Sequence, residues 1–241
     1  WNSATDKLLE ANYDIDTVLE RKIENKRAIQ EKLGLDRDDG KIMLGLISRL
    51  TDQKGLDLVN AVMPDMIDGN TQIVILGTGD PRYEDSFRYY ESLNKGSVCA
   101  YIAYDESLAH QIYAGADALR VPSLFEPCGL TQLIAMRYGT IPIVRETGGL
   151  RDTVLSYNEV NGVGNGFTFF NYNAHDMLHT IERAVEEGRS IYENIRKSVI
   201  FLLSSNLGEL LTMFVAVACG FMAPLKSCHV LGINLITDSL P

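Results

Sequence analysis

Apolar residues along this chain gather in short unbroken runs instead of alternating with polar ones. The runs Ile42–Ile47, Gln72–Leu76, Val98–Ile102, Leu119–Pro122 and Ile141–Val144 lie about 20 to 25 residues apart. Amphipathic stretches fill the gaps: Leu56–Met66, Tyr83–Leu93, Leu108–Ala114 and Leu130–Tyr138. Runs without alternation suit strands covered on both faces, as in a parallel sheet. Strand and helix in strict succession predict βαβ units, and hence a Rossmann-like, doubly wound α/β fold. Upstream, Leu19, Ile23, Ala28 and Leu33 recur among charged residues and predict a helix over Ile15–Leu33, closed by the acidic turn Asp36–Gly40. A strand over Gly166–Phe170 and helices over Ala174–Glu187 and Ile191–Lys197 complete the regular pattern.

Beyond Lys197 the pattern stops. Glu209 is the single charge between Ser198 and Leu225, and the sixteen residues Leu210–Leu225 carry none. That run is short of the roughly 20 apolar residues a membrane span needs, and Gly220 and Pro224 interrupt it. The expectation is a tail over 198–241 foreign to the fold, as from a shifted reading frame, and no membrane partner. The opening Trp1-Asn2-Ser3 shows no signal pattern and reads as the start of a fragment.

Composition changes the picture little. Hydrophobic residues make up 46% of the chain and charged ones 22%, enough for an ordinary core. The net charge of −10 argues against a nucleic-acid surface, which would need a basic stripe. The four cysteines, Cys99, Cys128, Cys219 and Cys228, form no CxxC pair and fit a reducing compartment.

Candidate chemistry sits where strands end. In Ser48-Arg49-Leu-Thr-Asp-Gln-Lys54-Gly55, a planar fork and a point charge lie five residues apart just before a helix. Both are standard holders of phosphate oxygens, and a helix start favours anions. In an arbitrary sequence the same pair would be two solvated basic residues. In Pro122-Ser-Leu-Phe-Glu126-Pro-Cys128-Gly129-Leu130-Thr131-Gln132, a carboxylate at the strand mouth can accept bonds from sugar hydroxyls. The backbone N–H groups that follow can meet a diphosphate. Taken alone, Glu126 would be a helix-capping acid and Cys128 a buried small hydrophobe. His110 reads as an edge-of-core residue. Asp36-Arg37-Asp38 matches a DxD metal pattern formally but falls in a charged turn before the first strand.

The joint order of these elements resembles the starch and bacterial glycogen synthase family over about residues 1–197. The order runs from Arg49-x4-Lys54-Gly55 through Leu76-Gly77-Thr-Gly79-Asp80 and Tyr104-Asp-Glu106. It continues with Phe125-Glu-Pro-Cys-Gly-Leu-Thr-Gln132 and ends at Arg145-Glu-Thr-Gly-Gly149. Residues 1–14 resemble the segment linking that family's two domains. The resemblance implies the C-terminal, donor-binding half (15–197) of a GT-B enzyme, one built from two Rossmann-like lobes. Its reaction would be a retaining transfer of glucose from ADP-glucose to the non-reducing end of an α-1,4-glucan, with no metal or other cofactor. Arg49 and Lys54 would then neutralise the departing diphosphate. Glu126 would bind glucose hydroxyls, and Cys128, Gly129, Leu130 and Thr131 would line glucose and phosphate. Tyr104 would stack on adenine, while Gly77 and Gly79 would admit the nucleotide.

The acceptor would meet mainly the other lobe, so this fragment alone is expected to bind ADP or ADP-glucose without turnover. A bacterial cytoplasm is expected over a plastid. Two departures stand out: Ile134 occupies the place of a second glutamate common in UDP-sugar relatives, and Glu146 stands where a basic residue is common. The alternatives are another GT-B transferase or a phosphorylase, and a non-catalytic nucleotide-binding fragment.

Overall fold

A computed structural model of the chain describes residues 1–187. The predicted helix over Ile191–Lys197 and the tail over 198–241 lie outside the described residues. The described residues form six strands: β1 (Ile42–Ile47), β2 (Thr71–Leu76), β3 (Val98–Tyr101), β4 (Ala118–Val121), β5 (Ile141–Arg145) and β6 (Phe167–Phe169). They form one sheet in the order β3-β2-β1-β4-β5-β6, and every neighbouring pair is parallel. The helices are α1 (Val18–Leu33), α2 (Leu56–Met66), α3 (Pro81–Leu93), α4 (Glu106–Gly115), α5 (Thr131–Arg137), α6 (Gly149–Thr153) and α7 over 174–187.

The architecture is the Rossmann-like one that the apolar runs predicted. The order reverses at β1, which pairs β2 on one side and β4 on the other. That reversal is where open α/β sheets bind ligands. On one face α1, α4, α5 and α6 contribute Ile29, Leu108, Ile112, Ala135, Tyr138 and Leu150 to a core with Met43, Val74, Leu119 and Val144. Alternate residues Leu44, Leu46, Ile73 and Ile75, all buried, turn to the opposite face.

Boundaries moved for local reasons. The first helix begins at Val18 rather than Ile15 because Asp14 accepts from the Asp16 and Thr17 N–H groups and holds a turn there. Asp80 caps the Arg82 N–H and puts Pro81 in the first turn, starting α3 two residues before the apolar pattern does. Asp105 does the same for α4 by accepting from Leu108 N–H at 2.8 Å. The short α6 is too brief for periodicity to reveal.

Residues 1–14 pack on the domain. The Trp1 ring stacks on His110 at 3.7 Å between centroids. Asp6 accepts from the Tyr138 hydroxyl at 2.7 Å and lies 2.6 Å from His110 Nδ1. His110 therefore serves this anchorage at the core's edge.

The amino ends of the central strands are tied by polar bonds. Buried Lys26 reaches Asp117 at 2.7 Å and the Lys41 carbonyl, while Asp117 also accepts from Met43 N–H at 2.7 Å. Gln30 donates to Gln72 Oε1 and to the Asp38 carbonyl, and Gln72 donates to the Asp36 carbonyl. Arg120 on β4 is different. It is 2% exposed, its Nη1 meets only Met66 Sδ, and its Nε and Nη2 have no hydrogen-bond partner among the described residues. Burial pulls its guanidinium down to about 10.

Candidate functional site

The loops after β1 and β4 flank the reversal of strand order, and the structure joins them. Beyond β1 the chain forms a one-turn 3-10 helix, Asp52–Lys54, before α2. The turn closes at Gly55, whose φ of +70 is left-handed and whose missing Cβ would lie 2.0 Å from the Pro122 carbonyl oxygen. Only glycine permits both the backbone angle and that close passage of the two loops. Leu124 N–H donates to the Gln53 carbonyl at 2.9 Å, and Gln53 Nε2 donates to the Phe125 carbonyl at 3.3 Å.

This passage brings Lys54 to Glu126. The ammonium donates to Glu126 Oε2 in a close ion pair, with both side chains mostly shielded at 18% and 16% exposure. Ser123 Oγ donates to the same oxygen at 3.1 Å. Two of the three residues given catalytic roles in the sequence are therefore in direct contact. Arg49, the third, is exposed at the start of the same β1 loop, and its guanidinium has no hydrogen bond or ion pair among the described residues. The arrangement offers one free cation, one cation held by a carboxylate, and a carboxylate with acceptor capacity left over.

The residues that follow Glu126 are open. Cys128 and Leu130 are exposed, Thr131 is half-buried, and Gly129 is buried with φ +69. Cys128 is thus not the buried hydrophobe that a lone cysteine would suggest. Behind the loop, Gly149 N–H donates to the Glu126 carbonyl at 3.1 Å. A Cβ at Gly149 would fall 1.9 Å from the Cys128 carbonyl oxygen, so α6 can start this close only with glycine there.

Tyr104 follows β3 at the sheet's edge and is 86% exposed, a free ring at the carboxyl end. Gly77 and Gly79 have a reason within the chain for lacking side chains. A Cβ at Gly77 would meet the Ser48 carbonyl oxygen at 1.9 Å, and one at Gly79 the Leu50 carbonyl oxygen at 2.3 Å. The loops after β1 and β2 are bonded there, with Leu50 N–H on the Thr78 carbonyl and Asp80 N–H on the Leu50 carbonyl. The tight fit shapes the β1 loop that carries Arg49. Asp36 of the formal DxD pattern pairs with Lys41, and no cluster able to hold a metal is found among the described residues.

Sequence reasoning gave no role to several residues that hold the site. Arg145, at the end of β5, donates from Nη1 to the Leu124 carbonyl at 2.9 Å and to the Ser123 carbonyl at 3.4 Å. Its guanidinium carbon lies 5.4 Å from the Tyr172 ring centroid, and the Tyr172 hydroxyl donates to Asp57 in the first turn of α2. Burial, then the Asp57 contact, push the Tyr172 phenol above its ordinary range. The signal available was a polar residue at the mouth of a strand, beside the Thr-Gly-Gly turn. Glu146, the second departure, accepts from Thr168 Oγ1 at 2.7 Å and so is occupied on β6.

Strand order, crossing loops and the polar groups at the carboxyl end define a Rossmann-like lobe. Residues 25–213 match the family described as Glycosyl transferases group 1, and the chain belongs to that family. It is 52% identical over 197 residues to a glycogen synthase of Lachnospira eligens, covering 82% of this chain and 40% of that protein. It is 53% identical to a glycogen synthase of Geobacillus stearothermophilus, again covering 40% of it. The chain thus spans about two fifths of the length of these curated relatives. A solved structure of the catalytic domain of starch synthase IV from Arabidopsis thaliana, bound to ADP and acarbose, superposes with a TM-score of 0.75 at 36% identity. That match covers 82% of this chain and 42% of that one. Among the described residues no helix is long and apolar enough to cross a membrane.

Proposed function

We propose that this chain is the donor-binding lobe of a glycogen or starch synthase type glycosyltransferase, which transfers glucose from ADP-glucose to an α-1,4-glucan with retention. The observation that carries the reading is the Lys54–Glu126 pair at the reversal of strand order, with Arg49 free on the same loop. Departure of a nucleoside diphosphate develops negative charge at its phosphate oxygens. Preorganised cations stabilise such charge best where water is partly excluded. Arg49 and Lys54 take that role, with no metal required, and Glu126 takes glucose hydroxyls. Cys128 to Thr131 line the sugar and phosphate, and Tyr104 offers a ring for the adenine. Identity above half to bacterial glycogen synthases supports the substrate class and a bacterial cytoplasmic setting, and the likeness to an ADP-bound starch synthase supports the nucleotide.

Residues 15–197 form the donor lobe in this reading and 1–14 the link to a second lobe, which supplies the acceptor surface. The purified chain accordingly binds donor without making glucan. Calorimetric titration with ADP-glucose and with UDP-glucose tests this. Preference for ADP-glucose is the expected result. Equal binding of both, or a preference for UDP-glucose, sends the reading to another transferase of the family, and labelled glucan from the chain alone refutes the need for a second lobe.

A further inference from the structure

The loop carrying Glu126 is short of partners of its own. Leu124 and Phe125 are exposed at 47% and 56%, so apolar burial does little to fix this stretch. What fixes it is a set of polar bonds from three other elements. Gln53 comes from the β1 loop, Gly149 N–H from the start of α6, and Arg145 from the end of β5. The first two are neutral bonds to or from backbone. Arg145 brings charge to the loop backbone, as Lys54 does to the Glu126 side chain, and charge-assisted bonds are about twice as strong as neutral ones.

Arg145 is also held in place itself. Tyr172 covers its guanidinium, and the Tyr172 hydroxyl is anchored on Asp57, three residues after Lys54. Its Nε is buried without a hydrogen-bond partner among the described residues, a cost that an aliphatic side chain would avoid. The contacts therefore close a ring. Lys54 reaches Glu126 directly on one side. On the other side Asp57, Tyr172, Arg145 and the Ser123 and Leu124 carbonyls connect the same two loops.

We infer that Arg145 is a positioning residue, clamped by Tyr172 and Asp57, that holds the Ser123–Glu126 loop so that Glu126 faces the donor sugar. The loop geometry stands on the contacts alone, and the consequence for the sugar rests on the function proposed above. An arginine suits the place because Nη1 reaches two successive carbonyls while the flat guanidinium lies against a ring. A lysine offers a point charge and keeps only part of this.

Hydrogen exchange on the full 241-residue chain without nucleotide reads the clamp directly. Arg145→Met is expected to speed exchange of the amides in 123–128 about tenfold, with β1 and β2 as in the wild type. Tyr172→Phe, which removes only the hydroxyl bond, is expected to speed it about threefold, and it decides the matter if Arg145→Met does not fold. Unchanged loop exchange, or a rise spread evenly through the strands, overturns the inference.

Binding supplies the second arm. In Arg145→Met the affinity for ADP-glucose is expected to fall about tenfold and that for ADP less than about threefold, with Arg145→Lys between it and the wild type. Equal losses for both nucleotides overturn the link to Glu126. A wild-type chain that binds neither nucleotide refutes the proposed function, and the exchange result still decides the clamp.

Discussion

The two ends of the central strands handle charge in opposite ways. At the amino end, Lys26 is buried against Asp117 and the Lys41 carbonyl, and Asp117 also takes the Met43 N–H. Gln30 and Gln72 bond to each other and to loop carbonyls, so polar groups there are engaged with one another. At the carboxyl end Tyr104 is almost wholly exposed, and among the described residues Arg49 has no partner and Lys54 is held by Glu126 alone. One end uses polar chemistry to fix the fold. The other leaves polar capacity open, which is what a ligand requires. The contrast says that substitutions at the amino end should act on stability and those at the carboxyl end on binding.

Breaking the amino-end network should have the largest effect. Lys26→Met leaves Asp117 without its cation and should cost about 3 to 5 kcal/mol in urea unfolding, with ADP affinity of the folded fraction unchanged. A weakened affinity there would blur the division between the ends. Arg120 sharpens it from the other direction, because it is a buried cation without a countercharge among the described residues. Arg120→Leu should raise stability by about 2 to 4 kcal/mol. A loss of stability in the same unfolding experiment would mean that the guanidinium has a partner it needs.

At the carboxyl end, Tyr104→Ala should leave the melting temperature in place, since the ring is 86% exposed. It should weaken ADP binding by about 1 to 3 kcal/mol through loss of stacking on the base. Unaltered affinity would remove Tyr104 from the site. The smallest effect concerns the anchored N-terminal segment. Burial opposes ionisation of Asp6, but bonds from Tyr138, His110 and the Leu8 N–H outweigh it and hold the carboxyl below the ordinary aspartate range. Its contribution is present above the unfolded value, near about pH 4, and is lost as pH falls through the lower folded value. Asp6→Asn should therefore cost about 1 kcal/mol at pH 7 and make the acid limb of the stability curve shallower. An acid limb as steep as that of the wild type would show that other carboxylates set it.

The sheet was legible because its strands are buried on both faces. Ile42–Ile47 and Leu56–Met66 fall where the apolar pattern put them. Helix starts at Pro81 and Glu106 were misjudged because capping by Asp80 and Asp105 extends a helix beyond its apolar stripe. Lys54 and Glu126 could be singled out by residue type, but their contact depends on Gly55 letting two loops cross 72 residues apart in the chain. In the sequence Arg145 stands out only as part of the Arg145–Gly149 motif and Tyr172 not at all, because their bonds run to carbonyls, a ring and a distant carboxylate, which residue type does not reveal. Gly77 and Gly79 were expected to admit a nucleotide. Their tight fit against the β1 loop backbone is a second reason for glycine that the motif did not reveal, and it leaves the nucleotide role a proposal.

In the function proposed above, Arg49 and Lys54 at the carboxyl end of β1 hold a nucleoside diphosphate. Calorimetric titration of the full chain with ADP, wild type against Arg49→Ala, tests it most directly. Arg49 has no structural partner to lose among the described residues. The substitution should therefore leave the unfolding midpoint unchanged and weaken ADP by about 1.5 to 3 kcal/mol, the worth of a hydrogen bond to a charged group. Equal affinities for ADP in the two proteins would contradict the assignment of the β1 loop to phosphate.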